Sequence, residues 1–148
     1  MDHEIAMDKL SSQQRSLGDL INIVAYRIRH DLSQRLGKQG LDITAWPILH
    51  CLWEKDGLPQ AQIGERLGLP GYTVSRGIDR LEATGLVSRR SDPGNRRVRL
   101  VFLTEAGRSS QAELVPISTE VNARVLGLLD DDEQRQLQTL LRKIAQVL

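Results

Sequence analysis

Aromatic side chains are scarce in this chain, with two Trp, two Tyr and one Phe among 148 residues. That leaves the core to Leu, Ile and Val, which suits a helical fold. Cysteine is scarcer still. Cys51 is alone, which excludes an intrachain disulfide framework. No apolar run approaches the length that spans a bilayer, so no membrane partner is expected. The start, Met1-Asp2-His3-Glu4, lacks the basic residues and apolar run of a secretory signal, and a cytoplasmic location is expected. The histidines His3, His30 and His50 are scattered. There is no metal-ligand spacing, no phosphate-cradling glycine loop and no nucleophile motif. His50 and Cys51 are adjacent, but on a helix they project about 100° apart. No enzyme, metal or cofactor is expected. The net charge of +1 says nothing about partners by itself.

What is present is unevenly placed. Residues 71–103 hold seven Arg against three acidic residues, a local excess of four positive charges, whereas residues 1–70 and 104–148 are each slightly acidic. A basic middle between acidic ends is the footprint of a localised nucleic-acid surface. All its cations are Arg, whose planar fork favours bidentate and groove-inserted contacts.

The same segment carries the clearest pattern. Gln60–Leu67 reads as a short helix with Ile63 and Leu67 as its apolar pair. Gly68-Leu69-Pro70 breaks it, because Gly68 can turn left-handed and Pro70 cannot continue a helix. A second helix is expected over 71–84. Its stripe of Val74, Ile78 and Leu81 is narrow, leaving Tyr72, Ser75, Arg76 and Asp79 opposite and Thr73 and Arg80 at the flanks. Helix, tight turn, helix is a helix-turn-helix. Gly85 ends it. Leu86–Arg90 and Val98–Leu103 read as strands around a Pro-Gly turn, Ser91 to Arg97, that carries Arg96 and Arg97. A hairpin after a helix-turn-helix makes a winged helix with a basic tip.

Three stretches in order, Leu81-Glu82-Ala83-Thr84-Gly85-Leu86-Val87, Asp92-Pro93-Gly94-Asn95-Arg96-Arg97 and Leu103-Thr104-Glu105-Ala106-Gly107, resemble the core of the MarR (multiple antibiotic resistance regulator) family. The family's wing pattern is an Asp, one residue, an Arg, five residues, then Leu-Thr. Arg97, Leu103 and Thr104 fit it, and Asn95 stands at the acidic position. The resemblance implies a mainly α winged helix-turn-helix fold in one domain, with a DNA-binding lobe over 44–103. Residues 11–37 and 104–148 would be dimerisation helices. It also implies a small-molecule site where those helices meet the lobe, and it assigns the minor-groove role chiefly to Arg97.

The flanks agree in placement. A long helix is expected over 11–37, with Leu17, Leu20, Ile21, Val24, Ile28 and Leu32 at helical spacing. Thr44 is expected to cap a helix over 45–55, with Pro47 in its first turn. Thr104 is expected to cap a helix running to Leu129 and kinked at Pro116. Asp130 and Glu133 form a capping box for a last helix striped by Leu137, Leu140, Leu141, Ile144 and Leu148. These stripes exceed what a small helix-turn-helix can bury. A second copy of the chain would cover them, and the alternative is packing within one chain.

The expected roles follow. Thr73, Ser75, Arg76 and Arg80 would meet base edges in the major groove, with Arg76 suited to a guanine. Tyr72 would stack on sugar or touch a thymine methyl. Arg96 and Arg97 would enter the minor groove, and Gln60 would join phosphate contacts. The blander readings are that the hydroxyls are only caps, that Arg80 pairs with an acidic neighbour, and that one of Arg89 and Arg90 faces solvent idly. Tyr26, His30, Trp46 and His50 are candidates to line the site for an aromatic or phenolic effector. Cys51 is either a buried thiol or a redox sensor. The expected function is a ligand-responsive repressor that binds double-stranded DNA as a homodimer. The rival is a winged-helix module that binds proteins, although such modules tend to lose the arginines kept here.

Overall fold

The computed structural model describes residues 15–147. The expected start of the first helix at Ser11 and the last stripe residue, Leu148, lie outside them. Helix α1 spans Leu17–Gly37. Ser16 caps it, its hydroxyl accepting the Asp19 N–H while the Asp19 carboxylate accepts the Ser16 N–H. Only Leu36 of α1 is buried; Leu17, Leu20, Ile21 and Val24 stay exposed.

Helix α2, Trp46–Glu54, has Pro47 in its first turn as expected. Thr44 does not cap it. Asp42 lies two residues upstream and its Oδ1 accepts both the N–H and the hydroxyl of Thr44, closing an Asx-type turn. That hydroxyl cannot also reach into the helix, and α2 begins from Ala45 without a side-chain cap.

Strand β1, Leu58–Pro59, leads into helix α3, Gln60–Leu67, then helix α4, Gly71–Ala83. Gly68 between the helices takes the left-handed conformation at φ 61°, as the turn requires. Strands β2, Val87–Asp92, and β3, Asn95–Leu103, form an antiparallel hairpin, and β1 pairs with the other edge of β3. The strands are longer than the sequence suggests. Asp92 pairs with Asn95, and the Asp92 carboxylate accepts the Gly94 N–H at 2.9 Å. Pro93 and Gly94 alone make the turn, so Arg96 and Arg97 belong to the strand just beyond the tip.

The core lies beneath this lobe. Ile48, Leu49, Leu52, Leu58, Ile63, Val74, Ile78, Leu81 and Val101 are all fully buried there, joined by Leu36.

Thr104 caps helix α5, Glu105–Ser109, by accepting the Gly107 N–H at 3.0 Å. The expected single helix from Thr104 to Leu129 does not form as one piece. The break falls at Ser110, and helix α6 runs over Gln111–Leu126 with Pro116 inside it. The Gly107 carbonyl takes the Trp53 indole N–H at 2.9 Å and the Ser110 hydroxyl at 2.8 Å. These bonds occupy the acceptor that a helix continuing through Ser110 would offer to the Gln111 N–H, and Pro116 lies beyond the break, inside α6. Helix α7, Asp131–Val147, carries the expected box: Asp130 Oδ1 accepts the Glu133 N–H and Glu133 Oε2 accepts the Asp130 N–H, both at 2.9 Å. Gln134 donates to the Leu126 and Leu129 carbonyls, closing the end of α6. None of the α7 residues is buried. Helices α1 and α6 pack together through Val121 and two cross-helix ion pairs, Arg35–Glu120 at 2.8 Å and Arg124–Asp31 at 2.9 Å.

Candidate nucleic-acid interface

The lobe presents α4 and the β2–β3 hairpin side by side. The predicted stripe of Val74, Ile78 and Leu81 is fully buried. Gly77 is buried with it, and a Cβ there would sit 2.4 Å from Ile48 Cδ1, so α4 approaches α2 closely at this point. The pattern of apolar residues does not include Gly77, because a glycine gives no hydrophobic signal.

The exposed face of α4 carries Tyr72, 73% exposed, with Arg76 and Asp79. Thr73 and Ser75 are half-buried. On β3, Arg97 and Arg99 lie two residues apart and so share one side of the strand, and Arg96 faces the other. Arg97 and Arg99 line a cleft of about 750 Å³ with Gln60, Gly68, Pro70 and Gly71. The wing and the helix-turn-helix turn therefore face one concave surface with two guanidinium groups on its wall.

The arginines divide by what they touch. Among the described residues, the side chains of Arg76, Arg96 and Arg97 have no hydrogen-bond or ion-pair partner. Asn95 accepts the Arg97 backbone N–H at 3.2 Å, so it shapes the main chain of the wing and leaves the guanidinium unheld. Arg99 donates to the Ser91 hydroxyl at 2.9 Å. Arg90 lies over the Phe102 ring, 4.8 Å from its centroid.

Arg80, a candidate base contact, is tied back to the loop before α2. It pairs with Asp42 at 2.7 Å and donates to Thr44 Oγ1 at 3.0 Å. The Asp42 carboxyl is held below its ordinary range, chiefly by the Thr44 hydroxyl and then by the Thr44 N–H and Arg80, against an opposing effect of burial. Arg89 is neither idle nor solvated. Its side chain is 18% exposed and bonds to α3 and α4 together. Gln60 and Ser75 are drawn into that network. Gln60 Oε1 accepts Arg89 Nε at 3.2 Å, and the Ser75 carbonyl and hydroxyl accept Arg89 Nη2 at 3.0 and 3.4 Å. Charge alternation on β2 gave no signal of this, since every acceptor lies on another element or earlier in the chain.

The four effector candidates separate into two clefts. Tyr26 and His30 stack at 6.0 Å on α1, in a cleft of about 430 Å³ with Asn22 and Arg29. Trp46 and His50 lie 6.1 Å apart on α2, in a cleft of about 620 Å³ closed by Arg66, Ser118 and Asn122. Those last three were not picked out from the sequence, because they come from α3 and α6 and share no pattern with α2. Cys51 borders the second cleft but is only 5% exposed.

Comparison with known proteins places this architecture. A family model described as "MarR family" matches residues 39–98. The transcriptional regulator HosA of Escherichia coli is 30% identical over 99 residues, covering 67% of this chain and 73% of its own. A MarR-family transcriptional regulator from Silicibacter pomeroyi is 30% identical, with 86% of each chain covered and a TM-score of 0.71. The structure of Staphylococcus aureus MepR in complex with DNA superposes with a TM-score of 0.83 over 91% of this chain and 100% of its own, at 23% identity, a likeness of fold. In sequence, in fold and in the order of its elements, the chain belongs to the MarR family, a family of transcriptional regulators rather than of enzymes.

Proposed function

We propose that this chain is a homodimeric repressor that works in the cytoplasm, reads a pseudo-palindromic operator in double-stranded DNA and responds to a small aromatic or phenolic effector. The observation that carries the reading is the division among the arginines. Among the described residues, Arg76 on the open face of α4 and Arg97 on the wing have no internal partner, while Arg80 and Arg89 are used within the fold. Unpaired guanidinium groups on two adjacent projecting elements suit a phosphate-lined duplex, with Arg76 toward a guanine edge and Arg97 toward a narrow minor groove. Tyr72, Thr73 and Arg96 stand beside them. Gln60, Ser75 and Arg80 act by supporting the lobe. The fold is shared with MepR, whose structure is of a DNA complex.

The exposed apolar faces of α1 and α7 supply the two-fold contact, and the half-sites would then lie about one helical turn apart. The cleft at Trp46 and His50 suits the effector better than the one at Tyr26, because residues of four helices, α1, α2, α3 and α6, line it, whereas α1 alone lines the other. An effector there would act by favouring one spacing of the two α4 helices.

The test is fluorescence-anisotropy titration against the DNA upstream of this chain's own gene, at two salt concentrations. Arg76→Ala is expected to lose about 1–3 kcal/mol and to relax discrimination between sequences. Arg97→Ala is expected to weaken binding across sequences and to lower the salt slope by about one. Equal, salt-insensitive binding to that fragment and to random duplex by the wild type would overturn the reading.

A further inference from the structure

Arg89 stands on β2 and holds two other elements at once. It donates to Gln60 on α3 and to the Ser75 carbonyl on α4, and it pairs with Asp79 at 2.7 Å and with Glu82, both on α4. Its own backbone N–H also donates to Glu82 Oε2 at 3.1 Å. With the Ser75 hydroxyl, six contacts from one residue therefore tie the wing strand, α3 and α4 together.

The two carboxylates matter as much as the geometry. Asp79 is on the open face of α4 with Arg76, and its side chain is 62% exposed. An uncompensated carboxylate there would oppose a phosphate backbone, because charges within about 10 Å are felt at ordinary salt. Arg89 supplies the opposite charge while staying mostly buried itself, where a phosphate cannot reach it.

We propose that Arg89 is a positioning residue for sequence discrimination. It sets the angle between wing and α4 and masks Asp79 and Glu82, without touching DNA. This rests on the reading that α4 and the wing meet a duplex. A guanidinium is needed for the first task, because one planar fork must reach acceptors on both helices. A positive charge alone serves the second.

The two tasks separate in one experiment. A preferred duplex is first selected by the wild type from a randomised pool. Wild type, Arg89→Met, Arg89→Lys and the double variant Arg89→Met with Asp79→Asn are then titrated against that duplex and against the unselected pool, with thermal melting alongside. Arg89→Met is expected to lose about tenfold in the ratio of the two affinities, the scale of one or two charge-assisted hydrogen bonds, and to weaken pool binding as well. Arg89→Lys restores pool binding and not the ratio. Adding Asp79→Asn to Arg89→Met does the same, which a purely structural loss would not allow.

Where Arg89→Met melts too low to titrate, Glu82→Gln with Asp79→Asn takes its place. It keeps pool binding and is expected to lower the ratio by releasing one side of the tie. A wild-type ratio in Arg89→Met, or full recovery of the ratio in Arg89→Lys, overturns the proposal alone. Selection of no preferred duplex by the wild type overturns the DNA reading and this proposal with it.

Discussion

The seven arginines of residues 71–103 are chemically alike and differ only in their neighbours. Arg80 and Arg89 are neutralised by carboxylates, Arg90 covers an aromatic ring, and Arg76, Arg96 and Arg97 project without partners among the described residues. The charge a duplex would meet is thus smaller than the arginine count. Glycines show the same dependence on neighbours. A Cβ on Gly107 would lie 2.0 Å from the Leu86 carbonyl oxygen, which already accepts the Thr104 N–H at 3.0 Å and cannot swing away. Gly107→Ala is expected to destabilise the fold by about 3 kcal/mol, near the upper end for overpacking. A lower urea midpoint at unchanged slope would report it. The motif that includes Gly107 was visible in the sequence; the carbonyl it presses against was not.

At the scale of elements, local signals and tertiary ones can be told apart. Helix α3 begins and ends where its residues predict, and Gly68 closes it in the left-handed conformation. The Asp130–Glu133 box forms as its spacing predicts, because both partners lie within one turn. Asp130→Ala is expected to cost about 1 kcal/mol, read as faster hydrogen exchange in the first turn of α7 with little change in the lobe. Two other readings failed for a common reason. Thr44 is a good cap in isolation, yet Asp42 and Arg80 engage its hydroxyl. The residues after Thr104 read as one helix to Leu129, yet it is broken at Ser110, where Trp53 captures the Gly107 carbonyl. In both, polar partners outweighed a local preference worth no more than a few kcal/mol, with Arg80 and Trp53 coming from distant parts of the chain and Asp42 from two residues away.

For the whole molecule, the ends of the chain pose the main question. Helix α7 offers Leu137, Leu140, Leu141 and Ile144 to solvent, and α1 offers Leu17, Leu20, Ile21 and Val24. Such contiguous apolar faces suit a two-fold partner. The double variant Leu137→Glu with Leu141→Glu is expected to sediment as a monomer where the wild type sediments as a dimer. It is also expected to bind single half-sites as weakly as separate lobes would. A wild type that sediments as a monomer at micromolar concentration would remove the two-fold model of operator reading.

What the sequence determined by itself was the order and period of the elements: the narrow stripe of α4, the left-handed turn at Gly68, the hairpin after Gly85 and the caps at Thr104 and Asp130. Each depends on residues within a few positions, so spacing alone carries it. The tertiary structure decided which arginines are used within the fold, where the helix after the wing breaks, and that the four effector candidates occupy separate clefts. Those outcomes depend on pairs distant in the chain, such as Trp53 with Gly107, 54 residues apart, and Arg89 with Gln60, 29 apart. A hydrogen bond of that kind has no period for a sequence to display. It exists only once the core beneath the lobe has brought its two partners together.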